Sequence, residues 1–280
     1  NDDAVVCQYV MTTLEELGLL KMDFLGLRNL TVLDDAVKMV QQREPEFALS
    51  KIPDDDAETY DMISRGQTAG VFQIESTGMT GVCVGLKPQS IEDITAVIAL
   101  YRPGPMESIP RFIACKHDPK LVTYKHPRLV PILSVTYGCI VYQEQVIRIF
   151  QELGGFSLGQ ADMVRRAISK KKAKEIEKER QAFVYGDAER GIKGCIANGI
   201  DEKTAQAIYD EIYDFANYAF NKAHAVSYAV VAYQTAYFKC HYTKEYMAAL
   251  LTSVLDNSDK VAGYIGECRD CGIALLPPDV

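Results

Sequence analysis

No apolar run in this 280-residue chain approaches the roughly 18 to 20 residues that a membrane-spanning helix needs, so a helical membrane protein is excluded. No signal-peptide pattern leads the chain. Its eight cysteines are scattered through an otherwise ordinary composition. They build no disulfide framework, which points to a reducing cytoplasm. Zinc finds little support: a site needs about four ligands, usually with a second close pair, and Cys268 and Cys271 form the one C-x-x-C. Cys240-His241 adds two donors in principle, but two surface cysteines near a helix end is the plainer reading. Positive charge is also lacking. A formal net charge of −8 argues against a basic nucleic-acid coat, while leaving room for a local basic site, because steering depends on charge distribution. Internal repeats and low-complexity linkers are absent, which excludes a repeat array.

The length allows one large or two ordinary domains with a sizeable core. With 48% hydrophobic and 24% charged residues, the composition is that of a soluble globular protein. The chain opens on Asn1, and its closing Ile273-Ala-Leu-Leu-Pro-Pro-Asp-Val280 reads as a strand that stops midway. Both ends are therefore expected to be cuts in a longer protein. The pattern in between is mainly helical. Thr12 and Thr13 each fit a capping box with Glu15 or Glu16, and Gly18 ends that short helix. Residues 19–25 alternate Leu20, Met22 and Phe24 with Lys21 and Asp23, the period of a strand. A helix follows over about 28–43, with Leu30, Leu33, Val37 and Val40 as its apolar face. Asp54-Asp55-Asp56 invites a metal reading, but Asp55 with Glu58 fits a capping box opening a helix that ends near Gly66. Residues 71–75 read as a short extended piece, and Cys139-Ile-Val-Tyr142 as a second short strand. Ser90 caps a helix that must stop before Pro103-Gly104-Pro105. From Gln143 the chain is helix after helix, broken near Gly154-Gly155, Gly194, Asn198-Gly199, Asn217 to Asn221, Tyr242-Thr243 and Asn257-Ser258.

Three stretches carry candidate chemistry. Lys21 and Asp23 are two apart on the expected strand, so both leave the same face. An exposed salt bridge fits that spacing, and so does a metal-binding carboxylate beside a phosphate-binding lysine. Arg165 and Arg166 lie on a helix opening near Ser157, flanking its stripe of Leu158, Ala161, Val164 and Ile168. From Arg165 to Arg180 there are eight Lys or Arg against three Glu, a local net of +5 inside an acidic chain. A solvated Glu/Lys helix explains Lys174 to Arg180. It explains Arg165 to Lys172 poorly, since no acid interrupts that stretch, and forked guanidinium donors suit a triphosphate. Phe220-Asn-Lys-Ala-His224 opens a helix whose start supplies backbone N–H groups, with Lys222 and His224 as further donors. Tyr218, Tyr228 and Tyr233 fit either base stacking or core packing. Arg102 fits either a nucleic-acid contact or a turn fixed by hydrogen bonds to carbonyls.

Taken together, Lys21-Met-Asp-Phe-Leu-Gly-Leu27, Tyr101-Arg-Pro-Gly-Pro105, Tyr137-Gly138 with Tyr142-Gln-Glu-Gln-Val146, Gly154-Gly-Phe-Ser-Leu-Gly-Gln-Ala-Asp-Met-Val-Arg-Arg-Ala167, Ser169-Lys-Lys-Lys172, Phe220-Asn-Lys-Ala-His224 through Ser227-Tyr228-Ala229, and Leu276-Pro-Pro-Asp279 resemble, in order and over nearly the whole chain, the bacterial C-family replicative DNA polymerases. The resemblance implies a mainly α protein: residues 1–27 as the last strip of a polymerase-beta-like α/β palm, 28–272 as helical fingers, and 273–280 as the start of a C-terminal region. It implies phosphoryl transfer from a deoxynucleoside triphosphate (dNTP) to a primer 3′ end with two Mg2+ ions. Asp23 would be one metal-binding carboxylate, the other two lying upstream, and Lys21 would sit beside the triphosphate or primer end. Arg165, Arg166, Lys170, Lys222 and His224 are the implied nucleotide contacts; Arg102, Lys171, Lys172 and Tyr228 are candidates for DNA. The implied partners are primer-template DNA and dNTP. Sliding clamp, clamp loader and a proofreading subunit would bind the longer protein through regions outside this chain, which by itself is expected to be inactive. The alternative is a non-catalytic nucleic-acid-binding helical module, which has no need of Lys21 beside Asp23.

Overall fold

The computed structural model describes residues 6–20, 22, 26–169, 173–216 and 218–276, and the regular elements among them are helical. In order they are α1 (Met11–Glu16), α2 (Arg28–Gln41), α3 (Ala57–Ser64), α4 (Thr77–Leu86), α5 (Ile91–Leu100), α6 (Ile109–His117), α7 (Val130–Leu133), α8 (Gln143–Gly154), α9 (Leu158–Ser169), α10 (Ala173–Tyr185), α11 (Glu202–Ala216), α12 (Lys222–His241), α13 (Thr243–Ser253) and α14 (Ser258–Asp270). Several starts follow from capping: the side chains of Asp56, Ser76, Ser90, Asn221 and Asn257 each accept a backbone N–H of the first turn. α5 stops at Leu100, ahead of Pro103, as expected.

Other expectations are corrected. The cap of α3 is Asp56, whose carboxylate accepts from Thr59 N–H at 2.8 Å, rather than Asp55. α1 is preceded by Val10, which offers no side-chain cap, and buries none of its residues. No strand occurs among the described residues; Leu20 and Met22 are largely exposed. A strand needs a neighbour to complete its ladder, and the described chain offers none there; Lys21, Asp23, Phe24 and Leu25 lie outside the described residues. Residues 71–75 form a turn, with Gln73 at φ 63°. Of the piece at 139–142, a single isolated parallel bridge from Tyr142 to Phe220 remains. Leu30 and Leu158 point outward: α2 is buried through Val32, Leu33, Ala36 and Val40, and α9 through Ala161, Val164 and Ile168. Cys268, taken for a surface cysteine, is buried with α2 and α13.

Three apolar clusters hold the helices. α2, α13 and α14 share one; α3 to α6 pack on α12 in the second; α7 to α11 form the third. α12 runs against α2, α3, α5 and α13. Its Ala225, Ala229, Ala232 and Ala236, fully buried, form a stripe of small side chains that lets the α5 backbone come close.

A buried ion pair ties α5 to α6. Lys116 Nζ lies 2.6 Å from Asp93, and the two side chains are 8% and 7% exposed. The Asp93 carboxylate also accepts from Gln89 N–H at 2.9 Å and Tyr137 O–H at 3.2 Å. Removing one partner of such a pair leaves a charge stranded away from water. Lys116→Met is therefore expected to lower unfolding free energy by about 3–5 kcal/mol, whereas Arg148→Ala, which breaks the exposed Arg148–Glu152 pair, costs at most about 1 kcal/mol. Urea denaturation checks both. Adding Asp93→Asn to Lys116→Met should return much of the loss, and equal losses in the two single variants would remove the buried pair from the framework.

Candidate nucleic-acid interface

On α12, Tyr228 follows His224 by four residues, as His224 follows Phe220 just before the helix, so the three rings share one side. Phe220 and His224 meet edge-on at 5.4 Å; His224 and Tyr228 lie at 4.3 Å with 37° between their planes. Phe72 continues the row at 5.3 Å from Tyr228. With Tyr101, Arg102 and Gln73 these rings line an open cleft of about 590 Å³. His224 is exposed and Tyr228 partly so. The Phe72–Gln73 wall is held in place from α12: Thr235 Oγ1 accepts the Phe72 N–H at 3.1 Å. Gln73 adopts the left-handed conformation that costs a residue with a Cβ free energy.

Arg102 supports this cleft more than it faces it. Its Nε donates to the Ala99 carbonyl at 3.0 Å and an Nη to the Tyr218 carbonyl at 2.7 Å, and its guanidinium lies 4.2 Å above the Phe220 ring. Of the two uses left open, the structure displays the carbonyl ties. Burial pulls its pKa below the ordinary arginine value. Next to it, Gly104 at φ 101° lies under the Tyr218 ring, so a side chain there would be both strained and blocked.

The N-terminus of α12 is already filled. Glu144 accepts the Lys222 N–H through both carboxylate oxygens at 3.0 Å, and the Asn221 amide at 3.0 Å. Asn221 Oδ1 takes the His224 N–H at 2.8 Å. The Lys222 ammonium lies 3.2 Å from Glu92 and 5.4 Å from the Tyr142 ring centre. The expectation of free N–H groups at this helix start is thus corrected: a carboxylate from α8 occupies it. Tyr233 belongs to the core, its hydroxyl donating to the Pro53 carbonyl at 2.6 Å.

Arg165 and Arg166 lie on α9, which packs on α8, α10 and α11, and neither lines the ring cleft. Ser157 and Gln160 close a reciprocal cap at the start of α9, with Ser157 N–H on Gln160 Oε1 at 2.8 Å and Gln160 N–H on Ser157 Oγ at 3.3 Å. One carboxylate holds both arginines: Asp162 Oδ1 accepts from Arg165 Nε and Nη2 at 3.0 and 2.8 Å, and Oδ2 accepts from Arg166 Nε at 2.8 Å. Arg165 is 16% exposed and Arg166 67%. Hydrogen bonding from Arg165 is the largest influence on the Asp162 carboxyl, and together with the charges of Arg165 and Arg166 it outweighs desolvation and holds the pKa below its usual value. Helical spacing made Asp162 readable, three and four residues before the pair; Glu144 and Phe72 carried no such signal. Lys21, Asp23, Lys170, Lys171 and Lys172 lie outside the described residues.

Residues 29–191 match the family described as bacterial DNA polymerase III alpha subunit finger domain. The chain is 50% identical over 281 residues to the DNA polymerase III subunit alpha of Thermus aquaticus, covering 98% of this chain and 22% of that protein. It is 49% identical over 274 residues to the subunit of the same name from Bacillus subtilis, covering 98% of this chain and 24% of the relative. With that of Rickettsia felis it shares 46% identity over 280 residues, covering all of this chain and 22% of the relative. The chain thus spans less than a quarter of the length of these relatives.

The pairing at Asp162 has a pH signature. A carboxyl whose folded-state pKa is depressed contributes stability that is fully present above the unfolded value, about 3.9 for aspartate, and that is lost as pH falls through the folded value. NMR titration of the Asp162 carboxyl should give a midpoint below that ordinary value, moving back up in Arg165→Ala. An unshifted midpoint in the native chain would show that the arginines do not share Asp162 in solution.

Proposed function

The chain belongs to the bacterial DNA polymerase III alpha subunit finger domain family, and from that membership we propose that it handles nucleotide and template as part of a DNA-directed DNA polymerase of bacterial chromosome replication. Residues 28–272 are the helical fingers, 1–27 the last strip of the palm and 273–280 the start of the following region. The mainly helical architecture of the described residues agrees with fingers; the palm strip rests on the sequence resemblance. The observation that carries the geometric side is the open cleft in which His224 and Tyr228 present closely spaced, tilted rings. Flat rings beside a groove give unpaired bases a surface to stack on without regard to sequence.

In this reading His224 and Tyr228 meet the template or the incoming base. Arg102, tied to two carbonyls, holds the Phe220 end of the row and reaches DNA with its remaining donors. Arg166 turns its exposed guanidinium to the triphosphate, and the less exposed Arg165 acts from beside it, with Asp162 orienting both. Lys170, Lys171 and Lys172 extend the positive stretch toward phosphate, and Lys222 adds an ammonium near the cleft. Lys21 sits by the triphosphate or the primer end. Among the described residues no all-oxygen cluster of three donors that suits a hard cation is found. The assignment of Mg2+ therefore rests on Asp23 and on carboxylates from beyond this chain. When bound, the ions supply charge neutralisation at the attacking and leaving oxygens. Primer-template DNA and dNTP are the proposed ligands. Sliding clamp, clamp loader and a proofreading subunit are partners of the longer protein, working in the cytoplasm; no helix among the described residues is long and apolar enough to cross a membrane.

Two expectations test this. Without the other carboxylates the 280-residue chain should not extend a primer, and Asp23→Asn in the full-length protein should abolish extension with little change in melting temperature. Near-normal turnover of that variant takes Asp23 out of the active site. In the same protein, Arg166→Ala should lower the rate over apparent nucleotide affinity by about 10- to 150-fold, the loss of a charge-assisted contact of roughly 1.5 to 3 kcal/mol. Primer-template affinity should change little. Arg166→Lys should recover part, since one ammonium does not reproduce the guanidinium fork. Arg165→Ala should act in the same direction. A weaker, salt-sensitive DNA affinity with unchanged nucleotide dependence would make the pair a backbone clamp instead, and no loss at all would make it surface charge.

A further inference from the structure

At the far end of α12 from the ring cleft, about 25 Å along the helix by its rise per residue, a second group of side chains converges. Glu58 in the first turn of α3, Cys240 and His241 each offer one ligand atom, and the three atoms lie within 4.8 Å of one another. His241 Nε2 is 2.8 Å from Asp56 Oδ2. That same Asp56 oxygen is fixed by the N–H and hydroxyl of Thr59 at 2.8 and 2.6 Å. An imidazole whose one nitrogen is anchored on a carboxylate presents the other to a metal in a set orientation.

We propose that Glu58, Cys240 and His241 form a zinc site that ties α3 to α12, with Asp56 as the carboxylate behind the histidine. One thiolate, one imidazole and one carboxylate are the donor set of Zn2+ and not of Mg2+ or Ca2+, which take oxygen. A tetrahedral zinc with bonds of about 2.0–2.3 Å spaces its ligands roughly 3.3–3.8 Å apart. The donors must therefore close by up to about 1.5 Å, which the exposed Glu58 side chain can largely supply toward His241 and the half-buried Cys240. Glu58 and Cys240 also line an open cleft of about 510 Å³, room from which water would complete the coordination. The two cations of that cleft are already neutralised, Lys239 by Glu267 at 2.7 Å and Arg65 by Asp61. Binding replaces the proton of the Cys240 thiol, which leaves to solvent. Cys268 takes no part, because it is in the core, while the exposed Cys271 lines the same cleft and is removed in the test below.

The test uses the chain with Cys7→Ser and Cys271→Ser, which removes its two exposed thiols, stripped of metal and titrated with Co2+. The expected result is a one-to-one complex with a thiolate-to-cobalt charge-transfer band, bleached by Zn2+ and missing after Cys240→Ser. Glu58→Gln and His241→Gln should each weaken Zn2+ binding. Asp56→Asn, which keeps a competent helix cap, should weaken it about 10- to 100-fold. Helical circular dichroism of every variant should match the parent. Absence of the band in the folded chain, its survival after Cys240→Ser, or affinity untouched by both Glu58→Gln and His241→Gln would each overturn the site.

Discussion

Close contact between α12 and α5 is the constraint from which much of the described structure follows. Ala225, Ala229, Ala232 and Ala236 repeat every three or four residues along α12 and are fully buried against the α5 cluster. Small side chains let the two backbones approach, so larger residues of α5 such as Ile94 and Val97 fill the space around them. The opposite side of the same helix sends Phe238 into the cluster shared with α2, α13 and α14. A helix buried on two sides in this way couples two apolar cores, and a shift of α12 would disturb both.

Buried polar groups then decide how the connecting segments sit on that helix. Lys239 has 2% of its side chain exposed and donates to the Gln67 and Ala69 carbonyls at 2.9 and 2.8 Å while pairing with Glu267. Tyr246 O–H donates to the Gly70 carbonyl at 2.7 Å, and Thr235 takes the Phe72 N–H. These contacts fix the 67–75 segment, which brings Phe72 and Gln73 to the ring cleft. Each is made in a place poor in water, where an unmatched donor or acceptor is costly, so the segment has little freedom to take another course. The left-handed Gln73 is tolerated within that frame.

A similar logic separates the charged candidates. Glu144 and Asp162 each arrive as a counter-charge, one at the head of α12 and one beneath the arginine pair. Both keep cationic or donor groups oriented in the absence of ligand. The guanidinium of Arg166 remains largely solvent-facing, whereas the N–H of Lys222 is taken.

Helix content, the cap at Ser90, the break at Asn257-Ser258, the stop of α5 before Pro103 and the buried stripe of Ala161, Val164 and Ile168 were legible, because they depend on neighbours within one or two turns. The motifs, in order along the chain, also sufficed for the family, since they reside in residue identity. The single-residue error at the cap of α3 arose because Asp54, Asp55 and Asp56 are chemically alike and only the path of the chain selects one. Leu30 and Leu158 matched their helical periods, yet no other element among the described residues covers them. What tertiary structure alone decided were the long-range matches: Phe72 joining the row begun by Phe220, Arg102 reaching the Tyr218 carbonyl, Glu144 at the head of α12 and Glu58 beside Cys240. Each joins residues that are distant in sequence, and helical or strand periodicity relates residues only within their own element.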